Sequence, residues 1–411
     1  MSQKPPRLTS MTRLREEMGA YFADLRRAAV EHTAPVAWCT SVGPAEILRA
    51  LGFAVYFPEN HGAMLGATRM ANQCIGRAHA RGYSPDVCSY LCSDVGAYLT
   101  KQTPLSGFGF DAIPKADVLV FNTNQCRDVR DWFSFYAREW DVPLMGITAR
   151  RDVDEVTDDL VDSDARQFER LVPALESIAG QRLDAARLTA AMNDSRQCSQ
   201  LWRACLDTAV AEPSPISFFD CCILMGPAVV LRGAPEAPAF YLDLLLELQS
   251  IARLKDGAVH DEQFRLYWDG MPIWGRLRAL SDLFASQRAC VVASTYCDSW
   301  VFDALDPADP FRSMARASLE LFIARSEEPK ERAIAHAVER FAIDGVVFHD
   351  ARTCPNNSNT RYGMPARLRD RLGVPVLTID GDLNDLRCFS QEQTATNVEG
   401  FVEQLADFAS A

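Results

Sequence analysis

Short apolar runs that break into polar loops alternate with stretches of helical periodicity, and this alternation limits the possible folds more than any other feature of the chain. Pro35-Val-Ala-Trp-Cys39 reads as a strand and breaks at Thr40-Ser41-Val-Gly-Pro44. A helical pattern follows over residues 45–51 and is closed by Gly52, a common residue just past a helix end. Phe53-Ala-Val-Tyr-Phe57 is a second strand, ending in the polar run Pro58-Glu59-Asn60-His61-Gly62. A strand, a helix and a strand in this order predict parallel pairing.

The same grammar recurs along the chain. An amphipathic helix over 8–33 precedes the first strand, with Leu14, Met18, Tyr21, Phe22 and Leu25 on one face. Helical patterns surround Cys74 and follow Cys92. The run Asp117-Val-Leu-Val-Phe-Asn-Thr-Asn-Gln-Cys126, a helix through Trp132, Phe133 and Tyr136, and the strand Pro143-Leu-Met-Gly-Ile147 complete a first domain over 1–150. Residues 151–265 carry helical patterns over 168–178, 186–208 and 241–254, and form a mainly helical region. From Tyr267 strands return: one entering Gly270-Met-Pro, then Cys290-Val-Val-Ala-Ser294, then Asp344-Gly-Val-Val-Phe-His-Asp-Ala-Arg-Thr-Cys354, then Pro375-Val-Leu-Thr-Ile-Asp380. Helices over 315–324, 330–341 and 397–408 accompany them. The expected class is therefore α/β, with a second parallel-sheet domain over 266–411.

Composition narrows the function. With 411 residues, the chain exceeds one compact core. A net charge of −13 argues against a nucleic-acid partner gripped through its phosphates. It leaves open an anionic small ligand held by a few local arginines. No apolar stretch approaches a membrane span, and the start Met1-Ser-Gln-Lys-Pro-Pro-Arg7 lacks a signal-peptide core, so a soluble, cytoplasmic protein is expected. The 13 cysteines then read as metal ligands or buried thiols rather than as disulfides.

Two of those cysteines stand out. Cys126 and Cys354 each follow a buried strand and lie in a polar loop, where an inert core thiol has little reason to be. Ligands in open α/β sheets bind outside the carboxyl ends of the strands. Cys88, in Ser84-Pro-Asp-Val-Cys88, lies just after a turn and would be the third ligand of a site between two domains. Three thiols in a sheltered cavity suit an iron–sulfur cubane that keeps one iron open. Zinc is the competing metal, although structural zinc sites pair cysteines at short spacing and only Cys88 and Cys92 approach that. Cys92 would share the site if its segment is helical, and Cys297 is an open question. Cys39, Cys74, Cys198, Cys205, Cys290 and Cys388 read as structural, and the neighbours Cys221 and Cys222 cannot easily both face one metal.

The polar loops supply candidate proton-transfer groups. Glu59 and His61 follow a strand end, where a carboxyl or imidazole can move protons on a substrate. Thr40 and Ser41 open a helix, where capping is compatible with holding a thioester oxygen. His349 would sit near Cys354 or be a satisfied core histidine. Trp268, Asp269 and Trp274 would line a pocket or belong to the core. No phosphate-binding Gly-x-x-x-x-Gly-Lys-[Ser/Thr] and no Gly-x-Gly-x-x-Gly after a strand occurs, so neither ATP hydrolysis nor nicotinamide binding has support.

These motifs together resemble the subunits of 2-hydroxyacyl-CoA dehydratases and ATP-dependent benzoyl-CoA reductases. The resemblance covers nearly the whole chain. It is carried by Trp38-Cys-Thr-Ser41, Gly43-Pro-Ala-Glu46, Phe57-Pro-Glu-Asn-His-Gly62 and Cys88-Ser-Tyr-Leu with Ser93-Asp-Val-Gly96. Asn122-Thr-Asn-Gln-Cys126, Val347-Phe-His-Asp-Ala-Arg-Thr-Cys354 and Ile379-Asp-Gly-Asp-Leu-Asn-Asp385 continue it. It implies two flavodoxin- or Rossmann-like domains, a [4Fe-4S] cluster on Cys88, Cys126 and Cys354, a homologous cluster-bearing partner subunit, and a separate ATP-hydrolysing activator. It implies acyl-CoA substrates reduced at the thioester carbonyl to a ketyl-type radical, with Ser41 and Glu59 in substrate handling. The leading expectation is the iron–sulfur catalytic subunit of a dearomatising benzoyl-CoA reductase. A 2-hydroxyacyl-CoA dehydratase subunit, a double-cubane reductase using Cys92 or Cys297, and a non-catalytic electron-relay subunit are the alternatives.

Overall fold

The computed structural model describes residues 8–410. Helix α1 (Ser10–Glu31) buries Leu14, Tyr21, Phe22 and Leu25, the face expected from the spacing. Strands β1 (Val36–Cys39) and β2 (Ala54–Tyr56) flank α2 (Ala45–Ala50). Helices α3 (Pro58–Ala67), α4 (Ala71–Ala80) and α5 (Ser89–Thr100) lead to β3 (Val118–Asn122), α6 (Asp128–Trp140) and β4 (Leu144–Ile147). Every residue of β1 and β3 is buried, as parallel strands covered on both faces must be. Trp38 on β1 packs against Tyr56, Phe133 and Tyr136 and donates Nε1 to the Pro114 carbonyl at 2.9 Å.

Residues 58–62, expected to be a polar loop, are instead the first turn of α3. Pro58 occupies the first helical position, where its missing N–H costs nothing and its fixed φ suits the helix, and Glu59 lies in the positive first turn. This has consequences for the site.

The helical stretch that follows comprises α7 (Asp158–Ala179), α8 (Ala185–Asp207), α9 (Phe218–Leu224), α10 (Gly226–Val230) and α11 (Glu236–Leu254). These helices lie against both sheet systems rather than apart from them: Arg49 of α2 donates to the carbonyls of Val230 and Arg232, and Phe218 stacks on Trp268. We propose domain divisions near 150/151 and, because a strand of the second sheet already begins at Phe264, just ahead of that residue rather than at 265/266, with this stretch as packing between them.

The second sheet repeats the first. Strand β5 (Phe264–Asp269) starts three residues before Tyr267, and α12 (Leu277–Ser286), β6 (Ala289–Ser294) and α13 (Thr295–Asp298) follow. Helix α14 (Pro310–Glu320) ends before the expected 324, which falls in a short 3-10 turn over Phe322–Ala324. Then come α15 (Glu327–Arg340), β7 (Gly345–Ala351), α16 (Met364–Leu372), β8 (Val376–Gly381) and α17 (Gln391–Ser410). The strand orders are β2-β1-β3-β4 and β6-β5-β7-β8, all parallel, so the two sheets have one topology. Among the described residues, no helix is long and apolar enough to cross a membrane.

Candidate functional site

In each sheet the strand order reverses between its two central strands, and a crevice opens at the carboxyl ends there. The two crevices share one cavity of about 830 Å³. Ser41 reaches it from the end of β1, Glu59 from beyond β2 and Cys126 from beyond β3. From the second sheet come Trp274 after β5, Tyr296 after β6, Cys354 after β7 and Leu383 after β8. Cys88, at the N-terminal boundary of α5, completes the set. The structure therefore gathers five of the six expected site residues, drawn from sequence positions 41 to 354, around one space.

Hydrogen bonds hold these loops in place across the sheets. Thr353 accepts from the Ser89 amide at 3.0 Å and gives its own amide and hydroxyl to Asp382 at 2.8 and 2.7 Å. This chain ties the Cys88 loop to the Cys354 loop. Asp128, which opens α6 just after Cys126, accepts from the Cys88 amide at 3.3 Å. Asn384 donates to the Gly62 carbonyl at 2.8 Å and to Ser93 at 3.0 Å, and so closes the first sheet's helices onto the second sheet's last loop.

Cys88, Cys126 and Cys354 are only partly buried, unlike Cys39, Cys74 and Cys92. All three thiols are hard to ionise. Burial drives the Cys88 thiol up, with the nearby Cys126 and Cys354 sulfurs adding to it. Burial and then Asp128 push Cys126 up to about 12, and burial and then Cys126 push Cys354 up to about 12. The three thiols thus feel one another, and a cationic group among them would remove the penalty on their ionised forms. Among the described residues, no three His, Cys, Asp or Glu side chains converge on a single ion. Three thiols on one cavity wall are a donor set suited to an iron–sulfur cluster, whose irons each take their own thiolate.

Ser41 and Glu59 form the second part of the site. The Ser41 amide donates to Glu59 Oε2 at 2.9 Å, and Oε1 has no protein partner. Burial raises the Glu59 carboxyl to about 7, against the lowering effects of the Ser41 hydrogen bonds and of Arg232. A carboxyl poised there can give or take a proton near neutrality.

His61 lies elsewhere. Because residues 58–62 are helical, positions two apart point to different sides, and with Glu59 on the cavity, His61 turns into the core. Its Nδ1 meets Asp94 at 2.5 Å and its Nε2 meets Thr103 at 2.9 Å, while Asp94 also accepts from Trp132 and Tyr136. His61 is thus buried in this network and does not line the cavity that Glu59 reaches. Cys92 is buried on α5 with its sulfur toward the Val87 carbonyl, and Cys297 is buried with Cys221 and Cys222 close by. Neither Cys92 nor Cys297 lines the cavity. His349 is a core histidine: Nδ1 donates to the Met271 carbonyl at 2.6 Å, and burial lowers its pKa. Trp268 and Asp269 are buried too, whereas Trp274 lines the cavity and donates to the Tyr90 hydroxyl.

Arg232 is the residue that sequence reasoning missed. It is 2% exposed, donates to the Ser41 carbonyl at 2.8 Å and to the Gly43 carbonyl, and lies 3.0 Å from Glu46. Its guanidinium also stacks over Phe302 at 4.9 Å. It therefore shapes the Ser41 loop from the helical stretch, nearly 200 residues away in sequence. The nearest sequence signal was Glu46, a charged residue inside an apolar helical pattern.

The sequence compares well with known proteins. It is 28% identical over 384 residues to the (R)-2-hydroxyisocaproyl-CoA dehydratase alpha subunit of Clostridioides difficile, covering 92% of each chain. It is 28% identical over 391 residues to the (R)-phenyllactyl-CoA dehydratase alpha subunit of Clostridium sporogenes, covering 91% of this chain and 90% of that one. Identity to a benzoyl-CoA reductase subunit of Thauera aromatica is 24% over 374 residues, covering 88% of this chain and 86% of that one. The family described as 2-hydroxyglutaryl-CoA dehydratase, D-component, matches residues 40–405, a span that contains Ser41, Glu59, Cys88, Cys126 and Cys354. The chain belongs to that family of acyl-CoA dehydratase and benzoyl-CoA reductase subunits.

Proposed function

We propose that this chain is the cluster-binding subunit of a 2-hydroxyacyl-CoA dehydratase, with Cys88, Cys126 and Cys354 holding a [4Fe-4S] cluster. The observation that carries the reading is the Ser41–Glu59 pair opening on the same cavity as the three thiols. When bound, the cluster supplies low-potential single electrons and one iron free of protein thiolate.

The chain's own residues do the rest. The cavity receives the acyl end of the thioester and excludes bulk water. Ser41 stands beside Glu59 and offers its hydroxyl as a donor to a thioester oxygen. Glu59, whose carboxyl burial raises to about 7, donates a proton to the departing hydroxyl, which leaves as water. The C2–O bond breaks as Glu59 gives up its proton, and the C3 proton returns to the Glu59 carboxylate, so a 2-hydroxyacyl thioester becomes a 2-enoyl thioester plus water with no net gain of electrons or protons. A homologous partner subunit and a separate ATP-hydrolysing activator would deliver the electron, as suits a chain without a phosphate-binding loop.

A benzoyl-CoA reductase is the second reading. An aromatic wall favours it: the Trp274 and Tyr296 rings are 6.1 Å apart and the Tyr296 and Trp300 rings 6.3 Å apart, all on the cavity. Counting reductant consumed per product under anaerobic conditions separates the two. The dehydratase needs only catalytic reductant, whereas two electrons consumed per turnover would replace it with the reductase.

A further inference from the structure

Helix α3 runs along the cavity as a ruler. Glu59, Ala63 and Ala67 line it at helical spacing, with Asn60 and Met64 beside them. Eight residues at 1.5 Å each place Glu59 and Ala67 about 12 Å apart. Glu59 and Met64 are half-buried and Ala63 is buried, while Ala67 and, just past the helix, Arg69 are exposed. The chemistry end of the cavity is therefore deep, and its mouth lies at the carboxyl end of α3. A Cβ on Gly66 would meet Trp274 at 2.7 Å, and one on Gly275 would meet the Gly66 carbonyl at 3.3 Å. These close approaches bring the end of α3 against the start of α12, which carries the exposed Arg278.

Charge around the cavity is sorted. Among its described lining residues the cations are Arg69 and Arg278, both exposed. The acidic groups Glu59, Asp128 and Asp220 also line it, and each is half-buried rather than exposed. Much of the remaining wall is hydrocarbon: Leu14 and Met18 of α1, Phe108, and the rings of Trp274 and Trp300. A carboxylate carried inward would leave water for a wall that offers it no cation and already carries the carboxyls of Asp128 and Asp220, which is costly. A hydrocarbon group would exchange water for favourable contact.

We infer that the acyl group bound here is uncharged and apolar, and that the rim arginines face the anionic CoA end instead. This deepens the acyl-CoA reading above and rests on it. The test is a set of dissociation constants, measured by calorimetric titration of the protein in the complex in which it purifies. The probes are 4-methylpentanoyl-CoA, glutaryl-CoA and CoA itself. The expected result is at least about tenfold tighter binding of 4-methylpentanoyl-CoA than of glutaryl-CoA, with glutaryl-CoA no tighter than CoA. Equal or tighter binding of glutaryl-CoA would overturn the inference and leave the acyl-CoA reading standing. If none of the three binds, the acyl-CoA reading falls and the inference with it. Met18→Lys assigns the effect to this chain: the glutaryl-to-methylpentanoyl affinity ratio should rise about tenfold, and an unchanged ratio in folded variant would place the acyl group elsewhere. The wild-type comparison decides the question even where the variant fails to fold.

Discussion

The backbone amide of Ser41 holds Glu59 Oε2 at 2.9 Å, joining the loop after β1 to the first turn of α3. One carboxylate oxygen is thereby fixed, and the other is left without a protein partner. Burial keeps the group near pH 7 even though the hydrogen bond favours its ionised form. Glu59→Gln preserves the shape but cannot give up a proton. We expect kcat to fall by about 10²–10⁴ with a smaller change in KM, as steady-state kinetics would show. Since the protonated carboxyl is the donor, wild-type kcat should decline as pH rises through about 7. A kcat that climbs through that range would assign Glu59 the opposite role.

Cluster loading tests the cysteines directly. Anaerobic protein should carry about four irons and four acid-labile sulfides per chain. Cys88→Ser, Cys126→Ser and Cys354→Ser should each lose most of the iron. Cys92→Ala and Cys297→Ala should keep it, because neither side chain lines the cavity. About eight irons per chain, or loss of iron in the last two variants, would restore the double-cubane alternative.

Arg232 and Glu46 form an ion pair with both side chains almost wholly buried. Removing one partner of such a pair leaves the other charged and unsolvated. Arg232→Met should therefore lower stability by about 3–5 kcal/mol in chemical denaturation. Its loss also frees the Ser41 and Gly43 carbonyls, so kcat should drop even at temperatures where the variant is folded. Arg232→Lys should recover part of the stability but less of the activity, since an ammonium cannot span both carbonyls and Glu46 in the guanidinium's geometry.

Asp164 on α7 gives a stability prediction away from the site. Burial raises its carboxyl from 3.8 to about 6, against a hydrogen bond from Gln167. The folded state therefore holds this proton more tightly than the unfolded chain does. The stabilisation is complete below about 3.8 and is lost as pH rises through about 6. At pH 8, Asp164→Asn should be more stable than wild type by about 1 kcal/mol, allowing for solvent screening. At pH 4 the two should be nearly equal in thermal unfolding.

Strand positions were legible because fully buried parallel strands read as unbroken apolar runs. Val118-Leu-Val-Phe121 and Val346-Val-Phe348 show this, and a cysteine follows the end of each of their strands within a few residues. The cavity residues after those strands were legible for the same reason. The burial of His61 was not legible because a proline and polar residues look alike in a turn and in the first turn of a helix. Only the helical geometry of α3 separates its direction from that of Glu59. Arg232 could not be found, because its function comes from contacts with Ser41 and Gly43 about 190 residues away.

The alternation of apolar runs and helical periods determined by itself the α/β class, the parallel pairing and the strand ends where the thiols emerge. These are local consequences of side-chain period and backbone preference, which act over a few residues. The tertiary structure alone decided that both sheets open onto one cavity, that Glu59 faces it while His61 does not, and that Arg232 braces the Ser41 loop. Those outcomes depend on how distant segments pack, and packing energy arises between surfaces that the linear order of residues does not bring together.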